Sequence, residues 1–221
     1  MIPSPKIENA LKSYISRNEA QYATRRNQVY SQYLSAGNTN FLYPNIFSSS
    51  TLPDQVLMVM VNSDAKNGSL TKNPYYFQHF NASNVTLQVN QRNLPRDGLK
   101  QDFDRNLYME TYRELFDNLG FGNSNVAIPL TPLKFKHGNC IFAWDLNHDR
   151  CAGMHNNHSR MKGAVTLKID FKEALTENIT IMVFGIYRDY IKVDKEGKPN
   201  TNVSYGVDAD AYPTNAFAPA A

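Results

Sequence analysis

Long apolar runs are missing from this 221-residue chain. Nothing in it approaches the roughly 18 apolar residues of a membrane-spanning helix, and the opening MIPSPKIENALKSY has no apolar signal core. We therefore expect a chain made in the cell interior, without a signal peptide or a membrane partner. Cysteine is scarce at two residues, too few for a disulfide framework, and both are expected as free thiols. Charge of one sign is scarce as well: 23 basic residues against 20 acidic leave a formal +3, far from the polybasic balance of a nucleic-acid binder. No specific nucleic-acid partner is expected. GxGxxG, the P-loop, GxSxG, HExxH and an HxH pair followed by Glu are all absent, so the common nucleotide, acyl-transfer and metallohydrolase chemistries lack their carriers. The expectation is a protein that is not an enzyme and holds no cofactor.

What is present leans toward strands. There are 13 Tyr and 12 Phe against one Trp, and β-branched residues are frequent in the middle and C-terminal thirds. Ser4-Pro5 reads as a helix start, and Ile7, Leu11, Tyr14 and Ile15 share one helical face, which predicts an amphipathic helix over 5–21. Val29, Tyr30, Tyr33 and Leu34 form a β-prone run ending in the turn Ala36-Gly37-Asn38. Val56 to Val61, bounded by Pro53 and Asn62, is nearly continuous in apolar residues, the pattern of a strand buried on both faces. Asn67-Gly68 predicts a turn, NPYYFQHF an aromatic loop, and the alternation of Val85, Leu87 and Val89 a half-buried strand.

Between Asp102 and Gly120, Phe103, Leu107, Tyr108, Met109, Tyr112, Leu115 and Phe116 fall on one helical stripe, so a helix is expected there among strands. Glu110 and Glu114, four apart beside Arg113, are read as a solvated face and not as an acid/base pair. CIFAWDL, AVTLKIDF and NITIMVFGIYRDYIKV supply the remaining strands. The segments expected are an N-terminal helical arm over 1–24, one β-domain over 25–195, and a Gly-, Pro-, Asn- and Ala-rich tail over 196–221 that is disordered or laid on a partner. Six N-x-[ST] triplets, from Asn67 to Asn202, are read as chance matches in an Asn-rich chain.

Both cysteines and four of the five histidines lie between His137 and His158. Zinc needs its ligands within a little over 2 Å of the ion, while CIFAWDL carries the chain about 20 Å at the usual strand rise. Only His148, Cys151, His155 and His158 could therefore converge on a metal. The preferred reading is a polar surface loop joining two strands, with the metal site as the alternative. Cys140, in an apolar strand, is read as a small hydrophobe.

Three phrases carry a resemblance: NGS-x3-NP-x2-F-x-HF at Asn67 to Phe80, Y-x3-Y-x2-LF at Tyr108 to Phe116, and F-x-W-DL at Phe142 to Leu146. From about Arg25 to Lys195 the chain resembles the C-terminal jelly-roll region of capsid-like proteins of adintovirus-like and Maverick/Polinton-type elements. These are similar to hexon-type double jelly-roll major capsid proteins. The resemblance implies a mainly β, antiparallel sandwich of jelly-roll type with an inserted helix and an N-terminal helix. It also implies a structural capsid or coat subunit that associates with itself, as a trimer or higher, and with other capsid proteins in a virion or virus-like particle. The family's loop after the F-x-[FW]-DL strand is acidic with a single His, whereas NHDRCAGMHNNH stands here, so no family role carries over to those residues.

The length leaves room for one roll. A penton-like or minor capsid component, or a lectin-like jelly-roll binding module, therefore stands beside the major-capsid reading. Tyr75, Tyr76, Phe77, His79 and Phe80 of the aromatic loop are the candidate interface residues, with capping of the sandwich as the alternative role.

Overall fold

A computed structural model of the chain describes residues 4–15, 20–47, 51–122, 128–147, 161–193 and 198–200. They form α1 (Pro5–Ile15), β1 (Ala20–Leu34), β2 (Asn40–Tyr43), β3 (Gln55–Asn62), α2 (Ser63–Gly68), β4 (Ala82–Val89) and β5 (Arg92–Lys100). There follow α3 (Met109–Asn118), α4 (Pro132–Lys136), β6 (Ile141–Asp145), β7 (Val165–Phe171), β8 (Ile179–Val193) and β9 (Pro199–Asn200). Two compact units result, Asn27–Tyr187 and Met1–Arg26 with Arg188–Ala221.

Strand order identifies the architecture of the larger unit. One sheet runs β1-β8-β3-β6 and the other β2-β7-β4-β5. First therefore neighbours eighth, second neighbours seventh, third neighbours sixth and fourth neighbours fifth, with the two-residue β9 added beside β8. Such nested pairing is what a long antiparallel ribbon gives when it is rolled up, and it makes the fold a mainly β, antiparallel sandwich of jelly-roll type.

The core lies between the sheets. Val56, Met58 and Met60 of β3, Phe142 of β6 and Ile181 and Val183 of β8 face Val85 and Leu87 of β4 and Val165, Leu167 and Ile169 of β7, and all are buried. Register makes the packing consistent: Met58 pairs with Phe142 on one side and Val183 on the other, and Val85 and Leu87 pair with Ile169 and Leu167. Because side chains alternate along a strand, these matched rows present one continuous inner face. Near one end, Tyr30 and Tyr187 each meet Phe47 edge-on, at centroid distances of 5.4 and 6.2 Å. Gly185 makes that possible, since a Cβ there would sit 2.5 Å from the Phe47 ring.

The inserted helix α3 covers an exposed edge. β6 ends its sheet, and Asn118 donates to the Ala143 carbonyl at 2.9 Å while the Gln55 amide donates to the Asn118 carbonyl at 2.8 Å. Leu115 is buried in the core from the same helix. An uncovered strand edge would invite pairing with another chain, and this helix occupies part of it.

Several boundaries differ from expectation. The first helix stops at Ile15 and β1 already begins at Ala20, so the predicted 5–21 helix is too long. Asn67-Gly68 is the end of α2, not a hairpin turn; Asn62 caps that helix by accepting from Asp64 and Ala65. The 102–120 helix begins only at Met109, because Asp102 accepts from the amides of Asp104 and Arg105 and holds a turn in front of it. Leu107 and Met109 consequently face solvent instead of joining the buried stripe. β2 and β5 were not expected from the sequence, and β9 places Pro199 and Asn200 beside Val193 and Lys192 within the stretch read as tail. In the smaller unit, Arg26 and Asp189 approach to 3.8 Å.

Gly185→Val should overpack the Phe47 site and cost about 1–3 kcal/mol. Urea unfolding would show this as a lowered midpoint with an unchanged slope.

Candidate functional site

The aromatic loop between α2 and β4 is held at both ends by backbone bonds. Pro74 fixes a turn in which Tyr75 donates to the Asn73 side chain at 2.9 Å and Tyr76 to the Asn73 carbonyl at 3.2 Å. Phe77 then donates to the Gly138 carbonyl at 2.9 Å and accepts from Cys140 at 3.1 Å, while Gln78 donates to the Met60 carbonyl at 3.0 Å. The loop is thus tied to the end of β3 and to the segment entering β6.

The five candidate residues separate into two groups. Tyr75 and Tyr76 are 77% and 45% exposed. Phe77, His79 and Phe80 are intermediate in burial, and Phe80 packs against the core. Tyr76 rests on Gly138, whose φ of +90° suits glycine and where a Cβ would lie 2.4 Å from the tyrosine ring.

His79 begins an aromatic column. Its ring stacks on Phe103 at 3.9 Å and 10°, Phe103 on Tyr108 at 5.3 Å, and Tyr108 on Phe135 at 6.1 Å. Tyr112 meets Phe135 edge-on at 5.7 Å and Phe116 at 4.9 Å. The hydroxyls of Tyr108 and Tyr112 donate to the carbonyls of Pro132 and Leu130 at 3.3 and 2.7 Å. Residues of the loop, α3 and α4 are therefore joined in one aromatic column. Phe135 belongs to this column without any sequence signal: it stands alone between lysines in LKFKHG.

The turn after His79 is strained. Phe80 and Asn81 both take positive φ, 44° and 50°, an uncommon state for residues with side chains. The Asn81 amide donates to His79 Nδ1 at 3.0 Å, a bond that requires that nitrogen to be unprotonated. Burial holds the His79 pKa down to about 4, helped by Lys136 and His137 and opposed by Asp104. Lys136 itself donates to the Phe103 carbonyl at 2.6 Å and to Asn106 at 2.8 Å. Beside it Lys172 bridges Asp102 and Asp104 at 3.2 and 2.8 Å. The Arg105 amide and then Lys172 lower the Asp102 pKa, and Asp104 and Asp102 raise that of Lys172.

Cavities adjoin this region and the β5–α3–β6 edge. One of about 350 Å³ adjoins His79, Tyr76, Lys136, His137 and Glu173. The other, of about 550 Å³, is bounded by Leu94 and Pro95 of β5, Glu114 and Asn118 of α3, and Trp144 and Asp145 of β6. Its amides are committed: Asn118 to Glu114 and Ala143, and Asn90 to Lys162 and Ala164. The Trp144 indole N–H is buried without a hydrogen-bond partner among the described residues.

Of the soft ligands, His148, Cys151, His155 and His158 lie outside the described residues. Among the described residues no group of three or more His, Cys, Asp or Glu could hold a metal ion. Cys140 is fully buried on β6's approach, and burial pushes its thiol pKa far up, so it stays protonated.

No family model matches the chain. It is 26% identical over 145 residues to the Caenorhabditis elegans "Uncharacterized protein F54H12.2", a match over 64% of this chain and 34% of that protein. Among solved structures it is similar to the Sputnik virophage cryo-EM structure, at 14% identity and a TM-score of 0.40 over 90% of this chain and 42% of that one. It is also similar to the mavirus major capsid protein, at 10% identity and a TM-score of 0.43 over 82% and 41% of the two chains. The chain spans about a third to two fifths of the length of these proteins.

The His79 geometry makes stability fall with acid. The unfolded imidazole takes a proton near its ordinary value of 6.5, whereas the folded one resists until about 4. The unfolded state therefore binds more protons between those limits, and stability should drop as pH falls from about 6.5 to about 4 and level off below. His79→Asn retains an acceptor near the Nδ1 position and should remove this component from a plot of unfolding midpoint against pH.

Proposed function

We propose that the chain is a structural subunit of a capsid or coat that assembles with copies of itself and with other capsid proteins into a virion or virus-like shell. The observation that carries this reading is the pair Tyr75 and Tyr76: large exposed aromatic side chains on a loop tied down by backbone bonds to Gly138, Cys140 and Met60. Tyrosine offers large contact area with little side-chain entropy, and a preorganised loop loses little freedom on association. The jelly-roll strand order supports the reading, since shell subunits use this fold, though lectins and cupins do as well. The sequence phrases at Asn67 to Phe80, Tyr108 to Phe116 and Phe142 to Leu146 favour the capsid branch, and within it the adintovirus-like and Maverick/Polinton-type proteins.

Phe77, His79 and Phe80 serve here as supports for the two exposed tyrosines. The 1–24 and 196–221 segments are assigned as arms that extend contacts between subunits. A single roll, β1 to β8 with β9 added at β8, suits either one half of a double-roll subunit or a penton-like or minor component. A homo-oligomer of three or more copies is the expected building block. The reading assigns the chain no enzymatic role.

Negative-stain microscopy and light scattering of the expressed chain test the proposal. Symmetric oligomers or closed particles are expected, and Tyr75→Ala/Tyr76→Ala should weaken assembly at least tenfold while leaving the thermal midpoint within about 2 °C, because both side chains lie at the surface. A monomer at every concentration and salt would overturn the reading.

A further inference from the structure

The two sheets end in four edge strands, and three of these are closed to a further strand. β2 is only four residues long. β5 carries Pro95 and Gly98, and its ladder with β4 shifts register between Val85 and Leu87. β6 is five residues long, and α3 is fastened to it where Asn118 donates to the Ala143 carbonyl at 2.9 Å. Short edges, proline, register irregularities and covering helices are the usual means by which a sheet avoids accepting another strand. β1 uses none of them. It is 15 residues long without proline or glycine, and among the described residues β8 is its one strand neighbour.

The part of β1 in the larger unit, 27–34, has a regular two-sided pattern. Tyr30 and Leu34 pack against the core and Gln28 is half-buried, whereas Asn27, Val29, Ser31 and Tyr33 alternate with them and are exposed. Val29 and Tyr33 are 56% and 55% exposed. No residue of 27–34 is charged, and the two charges of the strand, Arg25 and Arg26, precede it. An antiparallel partner strand therefore meets an uncharged ladder whose outward row is Val29, Ser31 and Tyr33.

We infer that this stretch of β1 adds antiparallel to the same stretch of a second copy of the chain, across a two-fold axis at Ser31, so that two rolls join edge to edge. Within this chain β1 is the edge left open, so the strand that a second copy can offer is its own β1, and a two-fold contact requires such self-complementarity. The register follows from the side chains. With Ser31 on the axis, Val29 stands opposite Tyr33 of the second copy, twice, an aromatic and β-branched pairing that stabilises neighbouring strands. Arg25 and Arg26 then fall opposite Gly37 and Ala36, beyond the end of β1 at Leu34, and no like charges meet along the ladder. Lys66 donates to Ser31 at 3.3 Å, so one ammonium group from each copy lies near the axis. That repulsion, together with a ladder of about 24 Å, keeps the contact weak and makes it tighten as salt is added. The inference rests on the assembly reading and gives it a contact separate from Tyr75 and Tyr76.

Oxidative cross-linking of the full chain in a Cys151→Ser background reads the register directly, since Cys140 is fully buried. Ser31→Cys should cross-link to itself, and a mixture of Val29→Cys and Tyr33→Cys chains should give at least five times the cross-linked product of either alone. Leu42→Cys, 57% exposed on edge strand β2, should give none. Sedimentation velocity across concentration and salt series supplies the affinity, with far-UV circular dichroism confirming the fold of each variant. Val29→Lys/Tyr33→Lys sets like charges opposite one another and should weaken pairing at least tenfold, and added salt should tighten the wild-type contact. Larger assemblies without cross-links at Ser31, cross-links as strong at Leu42, or pairing indifferent to the Val29/Tyr33 change overturn this inference while the assembly reading stands. A wild-type chain that is monomeric throughout overturns both.

Discussion

Double pairing of one strand, β3, organises the jelly roll. It bonds to β8 over its whole length and to β6 over five residues, so its register dictates theirs. A slip by one residue would exchange the inward set Val56, Met58 and Met60 for the outward set Leu57, Val59 and Val61. Because both sets are apolar, hydrophobicity at β3 alone does not fix which face is inward. The choice is imposed by the neighbours: Phe142 and Trp144 on β6, and glycine at 185 on β8, match the inner face in volume and in the space left for Phe47. Packing complementarity, more than bulk hydrophobicity, selects the register here.

The same reasoning explains which elements are legible in the sequence. β3, β4 and β7 announce themselves through apolar content or alternation, and burial follows that pattern in β7 with Val165, Leu167, Ile169 and Phe171 all inward. β5 does not, because Pro95, Gly98 and its charged residues fit only an edge strand, and edge strands carry no two-sided burial pattern to read. β2 is four residues long, too short for periodicity to register. The start of α3 is displaced because the Asp102 carboxylate caps a local turn, a side-chain interaction that outweighs the helical spacing of Phe103 and Leu107.

The aromatic loop shows a further limit. Its residue types mark it as unusual, yet nothing in NPYYFQHF distinguishes the exposed pair from the supporting trio. That distinction depends on partners far along the chain, with Gly138 seating Tyr76 and Phe103 stacking on His79. Such contacts join segments whose spacing in sequence follows no period. The strained turn at Phe80 and Asn81 is tolerated because the His79 ring, fixed by that stack, presents an acceptor to the Asn81 amide. Stack, hydrogen bond and backbone strain therefore form one unit, centred on the neutral His79 ring.

Apolar surface on β8 and β3 has a consequence for evolution of the fold itself. A sandwich needs only its inner faces to be hydrophobic, and the β4-β7 pair meets that minimum with Asn, Thr, Gln, Lys and Asp outside. Replacing Leu57, Met182, Phe184 and Ile186 with polar residues would leave the inner core contacts intact and reduce the risk of misassociation. Their presence on one sheet but not the other sets β3 and β8 apart as strands that are apolar on both faces.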